Sequence, residues 1–425
     1  MALLLARRGF AVSLYERRSD PRRTPGAAGR SINLALAARG IRALQRARIM
    51  HSIRPLLIGM RGRMLHDRLG KCELQPYGRS AQEVIYSVDR AALNRALLDE
   101  LARHPQVEIH FEQTCLGTDL TSDALSFRDA ASGLAYERTL TPTIAADGAG
   151  SAVRASLAAA HAVSARELPL DHDYKELPIP AEHGRPVLDA QALHIWPRGG
   201  FMLIALPNIG GSFTATLFLP RTGAASFAAL ATPAHIREFC LREFPDAVAL
   251  MPDLIDEFTQ HPLGQLGTVN CVPWHADGRV LLLGDAAHAI VPFHGQGMNA
   301  AFEDCLALDD LLDAHAHWQL VFDDFERRRR PNAEAIALMS LENYEEMRST
   351  VLDAVFRRQQ QLALELEERY PNRFIRRYSM VMFHPEIPYA EALRRGAVQA
   401  GLIAAIDREP GRAAALIDEH LPPII

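Results

Sequence analysis

No stretch of this 425-residue sequence approaches the ~20 consecutive apolar residues that would carry a helix across a bilayer. The opening MALLLA is short, lacks a cleavage site and runs straight into Arg7-Arg8, so it does not read as a secretory leader. Cysteine is sparse: Cys72, Cys115, Cys240, Cys271 and Cys305 are odd in number, far apart and free of any CxxC. That argues against a disulfide framework or a thiolate zinc site and for reduced thiols in the cytoplasm. There is no basic excess either, since 46 Lys and Arg face 51 Asp and Glu for a net charge of −5, so no nucleic acid or other polyanion is expected as partner. No P-loop, internal repeat or low-complexity tract appears, and no nucleophile elbow accompanies Asp285 and His288. His315, His317 and the pair His172-Asp173 lack a third convergent ligand; they read as surface histidines, and no metal is expected.

What remains is an ordinary globular composition, 48% hydrophobic and 23% charged, on a chain long enough for two or three domains. ALLLARRG reads as the end of a helix stopped at Gly9, and FAVSLYE as a strand ending at Glu16. In a dinucleotide-binding βαβ unit an acid at that place holds ribose hydroxyls, and Arg18 stands beside it. The strand and G-x-G-x-x-G turn that would come first are not in this sequence, so on the residues alone Glu16 reads equally as a solvated acid at a strand end. SVDRAALNRALLDELARHPQVEIHF predicts a helix capped by Ser87 or Asp89, then a strand. A hairpin follows around Ala124–Phe127 and Tyr136–Thr139. A short strand then ends at Asp147-Gly148, with Ser151 and Arg154 opening a helix. From Glu167 to about Val269 the runs LHIWPRG, FMLIALPN and SFTATLFLP alternate as strands of a separate mixed sheet. Trp196, Phe201, Met202 and Phe218 are its pocket candidates, most of them expected to be plain core. ERRRRPN reads as a solvated basic helix end at Pro331, followed by a long amphipathic helical pattern from Asn332 to about Tyr370.

The most informative stretch is RVLLLGDAAHAIVPFHGQGMNAAFEDC, Arg279 to Cys305. A short buried strand breaks at Gly284-Asp285, a loop carries Pro292, Gly295, Gln296 and Gly297, and a helix begins near Met298-Asn299. The carboxylate can meet ligand hydroxyls, the glycines admit a planar ligand, and the helix start offers free N–H groups to an anion. Gly-Asp alone is common and would leave a plain strand–loop–helix connection as the better reading.

The whole string resembles the flavin-binding GD motif of the FAD-dependent aromatic hydroxylases, the p-hydroxybenzoate hydroxylase class, and within them the kynurenine 3-monooxygenase family. ADGAGSAVR and GRSINLAL (Gly29 to Leu36) resemble further motifs of that class, the latter near the flavin ribityl and pyrophosphate. On the residues alone GRSINL is a helix-capping loop, with Ser31 or Asn33 as the cap.

The resemblance implies an α/β fold: a glutathione-reductase-like, Rossmann-type FAD-binding domain shortened at its N-terminus, a mixed-sheet substrate domain and a C-terminal helical region. We expect 1–55, 80–165 and 267–330 in the first, 56–79 and 166–266 in the second, and 331–425 in the third. The implied cofactor is FAD, with NADPH and O2 as co-substrates, hydroxylating L-kynurenine to 3-hydroxykynurenine through a C4a-hydroperoxyflavin.

By the same resemblance Glu16, Arg18, Arg90, Asp147, Asp285, Gly297, Met298 and Asn299 contact the cofactor, and Pro292, Gly295 and Gln296 shape the oxygen pocket. Arg63, Tyr77, Asn343 and Tyr378 then surround the substrate carboxylate, a fork and neutral donors suited to that group. Taken singly, Arg63 and Arg90 are surface arginines and Asn343 and Tyr378 routine helix residues. Eukaryotic members of the family carry a C-terminal membrane anchor; AALIDEHLPPII contains Asp418, Glu419 and His420, so none is expected here. The missing glycine turn implies a start placed too late or a truncated product, which leaves a chain unable to hold FAD as one alternative. Another anthranilate-like substrate for the same chemistry is the other. The residues do not indicate an oligomeric state.

Overall fold

Val12–Tyr15 pairs in parallel with Val107–His110, residue for residue from Val12 opposite Val107 to Tyr15 opposite His110. This computed structural model describes residues 1–23, 33–349 and 353–424. Two compact units emerge: Met1–Leu57 with Val88–Pro169 and Gly267–Ala337, and Ile58–Ser87 with Leu170–Leu266 and Leu338–Ile425. The helices beyond residue 338, expected as a third part, are grouped with the mixed sheet.

In the first unit the N-terminal helix Ala2–Arg7 ends where Gly9 adopts φ 85°, a conformation that favours glycine. Arg8 then ion-pairs Asp309 at 2.6 Å and Asp313 at 2.5 Å, fastening this end of the chain to the helix Gly297–Ala314. Asp89 caps the helix Arg90–Leu101 by accepting from the Ala92 N–H; Ser87 instead donates to the Pro207 carbonyl within the second unit. The expected hairpin is part of a three-stranded antiparallel sheet of Gln113–Asp119, Ala124–Asp129 and Ala135–Thr139. A second parallel pair joins Thr143–Ala145 to Val280–Leu282, so the Asp147-Gly148 and Gly284-Asp285 turns leave neighbouring strands at the same end. Helix Ala38–Arg46 lies against Gly297–Ala314, and Gly40 sits at the approach: a Cβ there would come 2.5 Å from the Asn299 Oδ1.

The second unit is built on a mixed sheet in the order Gly264–Val272, Ser164–Ile179, Phe213–Pro220, Met202–Pro207, Ala192–Pro197, Gly62–His66, Cys72–Pro76. Gly62–His66 runs parallel to Ala192–Pro197 and antiparallel to Cys72–Pro76. Because side chains alternate along a strand, the register sorts the pocket candidates. Trp196, opposite Leu203, and Phe201 belong to a core with Phe213, Leu217 and the helical residues Ile236, Phe239 and Phe244. These are plain core. Met202, opposite Phe218, falls on the other face, and so does Arg63, one residue out of step with the core-facing His194 of the next strand. The helix Pro233–Glu243 is capped by Thr232 and followed by Pro245–Val248. Helices Ala354–Arg369, Tyr389–Arg408 and Ala413–His420 close a smaller core of Leu366, Phe374, Leu402, Ile406 and Ile417.

Two expectations are corrected. The helix predicted to stop at Pro331 runs from Trp318 to Arg348 straight through it. Proline removes one helical N–H and crowds the preceding turn, a loss of about 3 kcal/mol. Burial of Phe325, Ala333 and Ile336 and the ion pairs of Arg329 offset it. Only Arg327 and Arg328 of the basic run are exposed; Arg329 is buried. His172, expected at the surface, is buried as well, with Nδ1 2.6 Å from Asp171 and Nε2 2.9 Å from the Gly200 carbonyl.

Candidate functional site

The first cluster lies within the first unit, where loops leave the parallel strands. Gly284 takes φ 61° and ψ −136°, which turns the chain sharply after Val280–Leu282 and presents Asp285. Asp285 is exposed yet crowded by protein atoms, and that desolvation raises its pKa, opposed by the positive influence of His288 and Arg90. Arg90, also named from the sequence, is thus near enough for its charge to be felt at Asp285. The loop continues through the turn Pro292–His294 to Gly295, left-handed at φ 66°. A Cβ at 295 would stand 2.9 Å from the Cβ of Ala35, so glycine is required twice over, by conformation and by space.

Gln296, fully buried, precedes the 18-residue helix Gly297–Ala314, whose N-terminus has no side-chain cap and no acid in its first turn. Its free N–H groups and dipole suit an anionic ligand atom. Met298 is half-buried beside it. Asn299 plays a part that the sequence did not show. Its side chain donates to the Ala35 carbonyl at 2.8 Å and to the Gly295 carbonyl at 2.9 Å, and accepts from the Ala37 N–H at 2.9 Å. The amide is used up in joining the loop, the helix start and the strand Leu34–Leu36. Its contribution to a ligand site is therefore through backbone placement.

Asp147 is exposed at the neighbouring turn, accepting from the Ser151 hydroxyl at 2.6 Å and the Val153 N–H at 3.2 Å. The buried Arg154 joins the two turns: it donates to the Ala286 carbonyl at 2.8 Å, to the Ala149 carbonyl and to Glu167 at 2.7 Å. Glu16 extends the strand Val12–Tyr15, and its carboxylate accepts from the Arg18 N–H at 2.8 Å, with the Arg18 side chain exposed. A concavity of about 300 Å³ next to both is lined mainly by apolar side chains, among them Leu14, Leu44, Leu98 and Phe302. Of GRSINLAL, Gly29 to Ile32 lie outside the described residues, while Asn33 is buried.

Beneath the loop runs a buried chain of charges. His288 Nε2 lies 2.6 Å from Asp304, Asp304 accepts from Arg329 at 2.7 Å, Arg329 reaches Glu303 at 2.6 Å, and Glu303 pairs with Arg39 at 2.6 Å. Burial opposes the Asp304 charge, but His288 and Arg329 outweigh it and hold the carboxyl at about 2. The indole of Trp274 stacks on His288 at 4.8 Å. None of these partners was legible as a site residue, for each is an ordinary helix or loop residue until the fold brings it to the next.

The second cluster lies within the second unit. Arg63, on the sheet face opposite the aromatic core, is buried. Its Nη2 lies 3.3 Å from Asn343 Oδ1, its Nη1 3.1 Å from Glu346, and its guanidinium 4.7 Å from the centre of the Tyr378 ring. Tyr77 stacks on Tyr378 at 5.6 Å. The four residues named from the sequence are therefore contiguous, although 315 positions (378 − 63) separate the first from the last. Burial works against the Arg63 charge, but Tyr378, Glu346 and Tyr77 outweigh it and keep the guanidinium protonated. Burial also raises both phenol pKa values; the Tyr378 hydroxyl adds to the rise at Tyr77, and Arg63 moderates both. Both phenols stay neutral donors. Glu346 escaped the sequence reading, though it stands three residues from Asn343 and hence on the same helix face. Among the described residues no group of three or more His, Cys, Asp or Glu is arranged to hold a metal ion, and no helix is long and apolar enough to cross a membrane.

A family model described as an FAD binding domain matches residues 1–340. Among solved structures, the tetrameric form of 2-methyl-3-hydroxypyridine-5-carboxylic acid oxygenase aligns with TM-score 0.65 at 18% identity, over 83% of this chain and 90% of that one. PqsL of Pseudomonas aeruginosa in complex with 2-aminobenzoylacetate aligns with TM-score 0.63 at 21% identity, over 82% and 92%. At such identities the likeness shows the fold alone, and it is the fold of FAD-binding oxygenases.

Sequence relatives are nearer. The kynurenine 3-monooxygenase of Xanthomonas axonopodis pv. citri (strain 306) is 47% identical over 409 residues, 96% of this chain and 90% of the relative. That of Stenotrophomonas maltophilia (strain K279a) is 47% identical over 406 residues, 95% and 89%. The chain belongs to the kynurenine 3-monooxygenase family of FAD-dependent enzymes. The residues present suit that cofactor: an exposed carboxylate at Asp285 for hydroxyls, an uncapped helix start for an anionic oxygen, and a glycine turn at 295 held by Asn299.

Proposed function

We propose that this chain, a flavin-dependent monooxygenase by family, hydroxylates L-kynurenine to 3-hydroxykynurenine in the cytoplasm, with NADPH as reductant and O2 as oxygen source. The observation that carries the substrate assignment is the buried cluster of Arg63, Tyr77, Asn343 and Tyr378. A protonated guanidinium with two neutral hydroxyls and an amide is a receptor for one carboxylate, which would fix the amino-acid end of the substrate.

Bound FAD, once reduced, supplies the oxygen activation. The protein's own share is placement. Asp285, with Arg90 beside it, and the Asp147 turn would take the ribityl and neighbouring hydroxyls. Glu16 and Arg18 would take the adenosine side, and the N–H groups of Gly297, Met298 and Asn299 the anionic oxygen of the ring. Pro292, Gly295 and Gln296 would shape the oxygen side of that site and keep water from it. NADPH would dock transiently, because there is no second dinucleotide fold among the described residues. No side chain is required as a covalent nucleophile.

The test is kynurenine-stimulated NADPH oxidation by the purified chain, with mass analysis of the product across a panel of anthranilate-like compounds. Product from kynurenine bearing one added oxygen supports the assignment. Oxidation coupled better to another member of the panel would reassign the substrate.

A further inference from the structure

The Arg63 cluster contains a charge that a carboxylate receptor does not need. Glu346 stands 3.1 Å from Arg63 Nη1, its side chain 26% exposed. Only its Oε1 is engaged; Oε2 has no hydrogen-bond partner among the described residues. Arg63 in turn has Nη1 on Glu346 and Nη2 on Asn343, while Nε is buried without a hydrogen-bond partner among the described residues. A guanidinium offers two forks, one through its two Nη atoms and one through Nε and Nη2. Nε remains for an oxygen of a carboxylate, and Glu346 can stay where it is while Nε is used.

The consequence is a cation and an anion side by side. A ligand with a carboxylate alone would set its charge next to Glu346 with nothing to balance the pair. An α-amino acid brings a carboxylate for Arg63 and an ammonium on the adjacent carbon for Glu346. Tyr77 and Tyr378 stay neutral and supply no competing charge, and Asn343 is neutral. We infer that Glu346 is the specificity residue that reads the α-ammonium of the substrate, so that the Arg63–Glu346 pair selects a zwitterionic amino acid over the corresponding deaminated acid. This inference rests on the kynurenine reading of the site and adds the element that would reject kynurenine's deamino analogue.

The experiment is equilibrium binding by calorimetry on the FAD-loaded full chain with two ligands: L-kynurenine and 4-(2-aminophenyl)-4-oxobutanoate, which keeps the aryl ketone and carboxylate but lacks the α-amino group. The wild type should bind kynurenine about tenfold or more tightly than the analogue, the scale of one charge-assisted contact. Glu346→Gln should weaken kynurenine binding, leave the analogue unchanged or tighter, and bring the ratio close to one; Glu346→Asp should restore part of the preference. Equal loss for both ligands in Glu346→Gln would mean that Glu346 only supports Arg63, and the inference would be overturned. So would an unchanged ratio, or a wild type that binds both ligands equally, though the kynurenine reading would then survive. A wild type that binds neither overturns both.

Discussion

Replacing Asp304 by asparagine should be among the most damaging single-atom changes in the first unit. The carboxylate is fully buried between His288 and Arg329, and Arg329 itself is 6% exposed. Asparagine keeps the shape but turns one acceptor into a donor facing a donor, and leaves the Arg329 charge half compensated. Breaking such a pair from one side costs about 3–5 kcal/mol, because the surviving charge stays out of water. The linked proton equilibrium gives an independent figure. The carboxyl titrates at about 2 in the fold against an ordinary 3.8. That difference corresponds to roughly 2–3 kcal/mol of stability carried by the ionised form. Since the folded state binds this proton less tightly, that contribution is complete above about pH 4 and disappears as pH falls through 3.8 towards 2.

Urea unfolding of the wild type and Asp304→Asn, side by side at pH 7 and pH 3, reads both quantities. At pH 7 the variant should lose about 3–5 kcal/mol, on the order of 10 °C in Tm. At pH 3 the gap should narrow by about 1 kcal/mol, because part of the wild-type advantage is already titrated. The flavin content of the variant should fall too, since Asp304 lies about two turns along the helix whose first residues are offered to the cofactor. A pH 7 loss below ~1 kcal/mol, or a gap that does not respond to pH, would refute the reasoning.

Asn299→Ala removes three hydrogen bonds, one buried and two part-buried, and leaves the Ala37 N–H and two carbonyls without their partner, a cost of roughly 2–4 kcal/mol. Flavin per polypeptide, measured from the visible spectrum, should fall with it, whereas a purely cofactor-contacting side chain would reduce flavin content and spare the apoprotein's stability. Gly295→Ala combines a left-handed backbone with a 2.9 Å approach to Ala35, and should cost about 1–3 kcal/mol while weakening FAD retention. Arg63→Met removes the carboxylate fork and should raise the Kd for kynurenine roughly 10- to 100-fold with flavin content unchanged. An unaltered Kd would show that the substrate carboxylate lies elsewhere.

The reach of the sequence can be traced residue by residue. Strand and helix at the GD motif were legible because a short apolar run, a Gly-Asp break and a helical repeat follow one another within about 30 residues. The four residues of the carboxylate cluster were named through family resemblance, since nothing local distinguishes Asn343 or Tyr378 from other helix residues. The sheet register, not the sequence, separates Trp196 and Phe201 from Met202 and Phe218, because all four are simply apolar strand residues until each strand's neighbours are fixed. Pro331 misled for a physical reason. The local rule ends a helix there, and tertiary burial with the Arg329 ion pairs overrode it. The buried positions of His172 and Asp304 were invisible for the complementary reason: the Gly200 carbonyl that His172 meets and the Arg329 that pairs with Asp304 are partners that sequence order does not bring near.

The most direct test of the central claim is the fate of oxygen. The FAD-loaded chain would be given L-kynurenine and NADPH under heavy-isotope oxygen gas, and the product examined by mass spectrometry. The account predicts 3-hydroxykynurenine carrying one labelled oxygen, formed in step with NADPH consumed. NADPH oxidation that yields no labelled hydroxykynurenine, with kynurenine recovered intact, would contradict it.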